Sequence, residues 1–176
     1  MLSLFWLVPI LSVGALVLAG ILTVNILKKD EGTDRMKENA AAVREGAGAY
    51  LNRQYKTVGL FFVIVFVVLS VLAFLKNVSF FVPFAFLTGG FCSALAGFIG
   101  MKIATASSAR TAHACRSSLN DGLRVAFASG SVMGFSVVGL GLVNLTAWYL
   151  GLRMYYGDNL EQITSVMLTV GLGASF

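Results

Sequence analysis

The sequence predicts an all-α protein: a polytopic transmembrane helical bundle with four complete spans and the start of a fifth. Three observations predict it. Of 176 residues, 57% are hydrophobic and only 12% are charged, about half the charged share of a soluble domain. Several apolar runs reach the roughly 18–20 residues that a helix needs to cross a bilayer. The runs are continuous rather than alternating, which excludes a barrel, the other structure that satisfies every backbone group in lipid.

The spans follow in order. The first, about residues 2–27, contains no charge, and its only basic flank comes after it, at Lys28 and Lys29. It therefore lacks the basic leader of a signal peptide and reads as a true span. The second covers about 58–75, the third about 80–103 and the fourth about 123–152. A fifth apolar stretch begins near Ile163 and reaches Phe176, too short to cross, and reads as a span cut off within a helix, with a re-entrant or interfacial tail as the alternative. The whole of 1–176 is expected to be one membrane-embedded region.

Charge sets the expected orientation. Lys28, Lys29, Arg35, Lys37, Arg44, Arg53 and Lys56 cluster after the first span, and Lys102, Arg110, Arg116 and Arg124 between the third and fourth. Only Lys76 and Arg153 fall on the other side. This bias places segments 28–56 and 104–121 in the cytoplasm and the N-terminus outside. It also explains the net charge of +5 without a nucleic-acid partner.

Span texture predicts neighbours. The second span, "LFFVIVFVVLSVL", is bulky all round and should face lipid. The fourth carries Gly122, Ala126, Gly130 and Gly134 at four-residue spacing, and the third carries Gly90, Ala94, Gly97 and Gly100. Small residues at such spacing let helix backbones approach closely, so both spans should pack against other protein. No Pro or turn cluster interrupts the chain from Arg35 to Leu75. One long helix is expected there, projecting from the bilayer, with Gly46 and Gly48 pressed by a neighbouring helix. Segment 104–118 should likewise prolong the third span, with "LNDG" as the turn and Asp121 capping the fourth.

Candidate chemistry is sparse. The four spans contain no internal Asp, Glu, Lys, Arg or His, so they supply no ion relay of their own. Asn144, Ser93 and Ser136 are polar but neutral. The acids Asp30, Glu31, Asp34 and Glu38 form a cluster that suits Mg²⁺, but the bases interleaved with them favour a solvated loop. His113 and Cys115 make a His-x-Cys with too few ligands for zinc. Cys92 and Cys115 are not expected to form a disulfide. The Gly-x-Gly pairs in "GLGLVN" and "GLGAS" follow no strand, so no dinucleotide loop is read there.

Three segments, "REGAGAYLNRQYKT", "GFIGMKIATASSARTAHACRSSLNDGLRVAFASGSVMGFSVVGLGL" and "GLGASF", together resemble the membrane-integral pyrophosphatases. These are pumps that use inorganic pyrophosphate to move protons or sodium ions. The resemblance runs in order along essentially the whole chain and covers only the N-terminal part of the family's pattern. It implies an outer-ring fragment of a larger, homodimeric pump in the cell membrane, supporting an inner ring formed by the remaining helices. It implies Mg²⁺ as the metal that holds pyrophosphate, with K⁺ or Na⁺ as a candidate activator. The family's metal-binding and catalytic series, including a "DNVGD"-type motif, follows the equivalent of "GLGASF". No catalytic, cofactor-binding or metal-ligating residue is therefore assigned here, and the chain alone is expected to be inactive, with Glu45 and Arg53 as candidates for a supporting role only. The alternative reading is a complete small membrane scaffold without catalysis.

Overall fold

A computed structural model describes residues 5–75, 78–157 and 159–175. Among them are five helices and no strand: α1 (Leu7–Leu27), α2 (Asp34–Phe74), α3 (Val82–Ser117), α4 (Leu119–Tyr156) and α5 (Leu160–Ser175). Residues 7–27, 58–74, 82–103, 123–152 and 163–175 of the expected apolar stretches lie within these helices, and α1 to α4 are each long and apolar enough to cross a membrane. Helices α2 and α3 run well past their apolar stretches into charged sequence, as the lack of breakers in 35–75 and 104–117 leads one to expect. Lys76, assigned above to the side opposite the basic segments, lies outside the described residues.

Each connection carries its own stop and start signals. Thr33 precedes α2, and its carbonyl accepts from the backbone N–H groups of Met36 and Lys37. Ser79 precedes α3, and its hydroxyl accepts from the Phe81 N–H at 3.4 Å. Gly157, at φ 63°, ends α4 in the left-handed conformation that glycine reaches without a Cβ clash. Asn159 then starts α5, its side-chain oxygen accepting from the Gln162 N–H. Between α3 and α4 only Ser118 is non-helical. Its hydroxyl accepts from the Asp121 N–H at 3.3 Å. This corrects two expectations: "LNDG" is already helix, and the cap is Ser118, not Asp121. A serine hydroxyl placed before the first turn reaches the N–H three residues on, whereas Asp121 lies inside that turn.

The chain divides into two compact units: one of Met1–Ser12, Gln54–Leu95 and Leu140–Phe176, the other of Val13–Arg53 and Ala96–Gly139. In the first, Val82 and Ala85 of α3, Leu152 of α4, and Ile163, Val166 and Val170 of α5 form the buried core. The indole N–H of Trp148 donates to the Thr88 hydroxyl at 2.7 Å. Tyr55 donates to the Ala94 carbonyl at 2.7 Å, so a polar group on α2 finds its partner on the neighbouring helix. Phe62 of α2 packs on Phe86, ring centres 4.9 Å apart. Helices α3 and α5 approach backbone to backbone: a methyl group at Gly173 would overlap the Phe86 carbonyl, and one at Gly89 the Val170 carbonyl.

In the second unit, Ala19 and Ile26 of α1, Ile103 of α3 and Val132 of α4 make the core. Ser107 donates to Ser129 at 2.8 Å across α3 and α4, pairing two buried hydroxyls. Gly100 lies against Met133, and Gly122 against Cys115. Both cysteines are free.

The glycine map differs from the expected one. Gly90, Gly100 and Gly122 do meet neighbours. Gly130 and Gly134, by contrast, have nothing within reach of an added methyl, and neither do Gly46 and Gly48. Spacing identifies a face of small residues but not which helix covers it. The bulky stretch of α2 is as exposed as expected, with 6% of its most apolar window buried.

Two substitutions separate these environments. Gly173→Ala forces the α3 and α5 backbones apart and should destabilise the protein by about 1–3 kcal/mol. Gly48→Ala meets nothing, and should be neutral or stabilising by up to about 1 kcal/mol through helix propensity. Thermal unfolding of the purified membrane protein, comparing the two variants with the parent, checks this.

Candidate functional site

The densest polar structure in the second unit surrounds the segment between α1 and α2. Helix α1 has no basic residue in its last turn; the Val24 and Ile26 carbonyls accept from the Lys28 and Lys29 N–H groups, which leaves the carbonyls beyond them to find a partner elsewhere. Arg110, about two turns past the apolar stretch of α3, supplies one from a distance. Its Nε donates to the Lys29 carbonyl at 2.9 Å and its Nη2 to the Leu27 carbonyl at 3.3 Å. Nη1 also donates to the Ala106 carbonyl on its own helix and pairs with Glu31 Oε1 at 2.8 Å. The five fixed donors of a guanidinium suit such a multiple contact; the point charge of a lysine does not.

Glu31 completes the cluster. Arg44 of α2 grips both its carboxylate oxygens, Nη1 to Oε1 at 2.6 Å and Nη2 to Oε2 at 3.2 Å. The Glu31 and Arg110 side chains keep only 16% and 10% of their surface exposed. At that burial a charge is costly unless paired, and here each is paired. The hydrogen bonds from Arg44, with the charge of Arg110 behind them, hold the Glu31 carboxyl below the usual carboxylate range against the opposing effect of burial. Next to it, Gly32 sits at φ 90°. An added methyl there would lie 2.8 Å from both His113 Nδ1 and Met36 Sδ, so conformation and space both require glycine. Asp30 accepts from the Gly32 N–H at 3.0 Å, which keeps its carboxyl low.

The sequence-derived candidates separate accordingly. Of the acidic cluster, Glu31 is committed to two arginines, Asp30 to a turn, and Asp34 to an exposed pair with Lys37 at 3.4 Å. Glu38 and Glu45 are exposed, as are Asp121 and Glu161. His113 does not join Cys115: its Nδ1 is buried without a hydrogen-bond partner, whereas Cys115 is exposed and touches Gly122. Sequence reading missed Arg110, counting it only towards topology. The available signal was a single arginine within the small-residue run "ATASSARTAHA", the one long side chain able to reach outwards.

The comparison with known proteins bears on what surrounds this structure. The family model described as inorganic H⁺ pyrophosphatase matches residues 13–176. The chain belongs to that family. A putative K⁺-stimulated pyrophosphate-energized sodium pump from Bacteroides thetaiotaomicron is 52% identical over 98% of this chain and 24% of its own length. K⁺-insensitive pyrophosphate-energized proton pumps from Caldanaerobacter subterraneus and Moorella thermoacetica are 35% and 39% identical, over 93% and 99% of this chain. The chain thus spans about a quarter of the length of these relatives. Family membership and membrane-type helices together make it a membrane-integral chain.

For a family whose reaction involves a polyanion, Mg²⁺ is the metal to test against the residues present. They do not fit it. Among the described residues no three His, Cys, Asp or Glu side chains converge. Mg²⁺ demands several oxygen ligands in near-octahedral array, and the most buried acid, Glu31, already has both oxygens on arginine.

The Glu31 cluster makes a pH-dependent contribution of definite sign. Its carboxyl lies below the ordinary value of 4.5 in the folded protein. Its stabilisation is therefore complete above that value and is lost as pH falls through the depressed folded value. Glu31→Gln should lower stability at neutral pH by about 1.5–3 kcal/mol, the range for charge-assisted hydrogen bonds. The gap to the parent should close on acidification below 4.5. Paired thermal melts across pH 3–8 measure it (about that span keeps both limits in view).

Proposed function

We propose that this chain is the outer-ring, N-terminal portion of a pump that couples inorganic pyrophosphate hydrolysis to sodium transport across the cell membrane. The observation that carries the reading is the 52% identity, over nearly the whole chain, to a protein named as a pyrophosphate-energized sodium pump. The proton pumps reach 35% and 39%, which favours sodium over protons. The same name favours K⁺ as an activator.

In this proposal the chemistry belongs to helices outside the chain. Pyrophosphate cleavage calls for bridging Mg²⁺, carboxylates to hold it and cations to offset developing charge. We place all of these on the remaining helices and assign no catalytic residue to residues 1–176. The small-residue face at Gly130 and Gly134, open within this chain, is where we seat those helices; small residues allow close backbone approach. The assembly is proposed to be a homodimer. The N-terminus is proposed to lie outside, with 28–56 and 104–121 in the cytoplasm, on the strength of the Lys and Arg bias.

Two measurements test this. The full-length protein, reconstituted with Mg²⁺ and K⁺, should take up Na⁺ into liposomes on addition of pyrophosphate. Residues 1–176 reconstituted alone should release no phosphate. Proton uptake independent of Na⁺ would overturn the choice of ion, and phosphate release by the short chain would overturn the placement of the site. Separately, single cysteines at Thr33 and Tyr156, in a background lacking Cys92 and Cys115, should be labelled by an impermeant thiol reagent from opposite sides. Labelling of position 33 from outside intact cells reverses the orientation.

A further inference from the structure

We propose that Glu31, Arg44 and Arg110 form an ionic latch that closes the 28–33 strap over the base of α2, making Arg110 a positioning residue for the charged half of that helix. The strap reads Lys-Lys-Asp-Glu-Gly-Thr. It contains no apolar side chain, so no hydrophobic burial holds it, and segments of that kind sit at the low end of local stability. Its attachment is polar. Arg110 takes the Leu27 and Lys29 carbonyls and one Glu31 oxygen, and Arg44 takes both Glu31 oxygens.

The reach of these groups sets the direction of the strap. From Asp34, where α2 starts, to Arg44 the helix rises about 15 Å. Three residues of extended chain from Glu31 cover at most about 10 Å. The contact closes only because Glu31 reaches towards the helix and Arg44 leans back towards its N-terminus, as helical side chains do. The strap therefore folds along the first turns of α2 instead of leading away from them. Arg110 ties the same carboxylate to α3, so one carboxylate joins the end of α1, the first three turns of α2 and the charged part of α3. Gly32, confined between His113 and Met36, makes the sharp bend that brings Glu31 round.

A latch differs from ordinary packing in depending on a single charge. Without the Glu31 charge, Arg44 and Arg110 become two like charges facing one another across the strap, and the contact opens as a unit. A lysine at position 110 keeps the charge but cannot serve two carbonyls and a carboxylate together.

Limited trypsin digestion of the full-length protein in lipid nanodiscs reads the latch directly, because Lys28 and Lys29 lie in the strap. Glu31→Gln, Arg110→Met and Arg110→Lys should each speed cleavage after Lys28 and Lys29 by about tenfold or more, since cleavage follows the open population. Asp34→Asn, which removes the exposed pair with Lys37 and touches none of the latch contacts, should leave the rate unchanged. Cleavage within about twofold of the parent in both Glu31→Gln and Arg110→Met, or equal acceleration in Asp34→Asn, overturns the proposal. Hydrogen exchange on the unmodified protein decides the matter if a variant does not fold. The strap amides should be protected at low salt and exchange faster as salt rises; exchange at the rate of an unstructured peptide at low salt overturns the latch.

Discussion

Hydrocarbon offers no hydrogen bonds, so every backbone polar group in the apolar stretches must be satisfied within the chain. Most features of this protein follow from that constraint. It removes strands and long loops from the apolar stretches and leaves helices as the means of crossing. It also governs the polar side chains that remain. Thr23 donates back to the Ala19 carbonyl, Ser70 to Phe66 and Thr169 to Ser165. These hydroxyls find acceptors four residues back in their own helices. Where a side chain is too long to bond locally, it crosses to a neighbour, as Trp148 does to Thr88.

The constraint relaxes where charged sequence begins, and there the protein changes its means of attachment. In the apolar stretches, contact depends on shape: α3 and α5 meet so closely at Gly89 and Gly173 that no side chain fits. Around the α1–α2 connection, contact depends on charge and directed hydrogen bonds, with one guanidinium serving the carbonyls of Leu27 and Lys29, at and just past the end of another helix. Two kinds of cohesion thus coexist in a chain of 176 residues. The first is insensitive to pH and salt, whereas the second responds to both.

Much of the fold could be read from the sequence because it depends on local signals. Helix α2 runs unbroken from Asp34 because nothing from Arg35 to Leu75 breaks it, and α3 continues to Ser117 for the same reason. Contacts distant in sequence could not be read. The pairing of Arg110 with the Lys29 carbonyl spans 81 positions, and no periodicity carries that information. The glycines show the same limit. Four-residue spacing marked Gly122, Gly130 and Gly134 alike, yet within this chain Gly122 meets Cys115 while the other two meet nothing. The Ser118 cap was missed because Asp121 is an equally good capping residue by type. Only the position of the first helical turn decides between them.

The joint at Ser118 has a mechanical consequence. A single non-helical residue between Ser117 and Leu119, capped on one side and hydrogen-bonded to Ala114 on the other, provides no spare length. The two helices flanking it cannot slide past one another along their axes without breaking one of those bonds. The end of α3 and the start of α4 are therefore held at a fixed spacing.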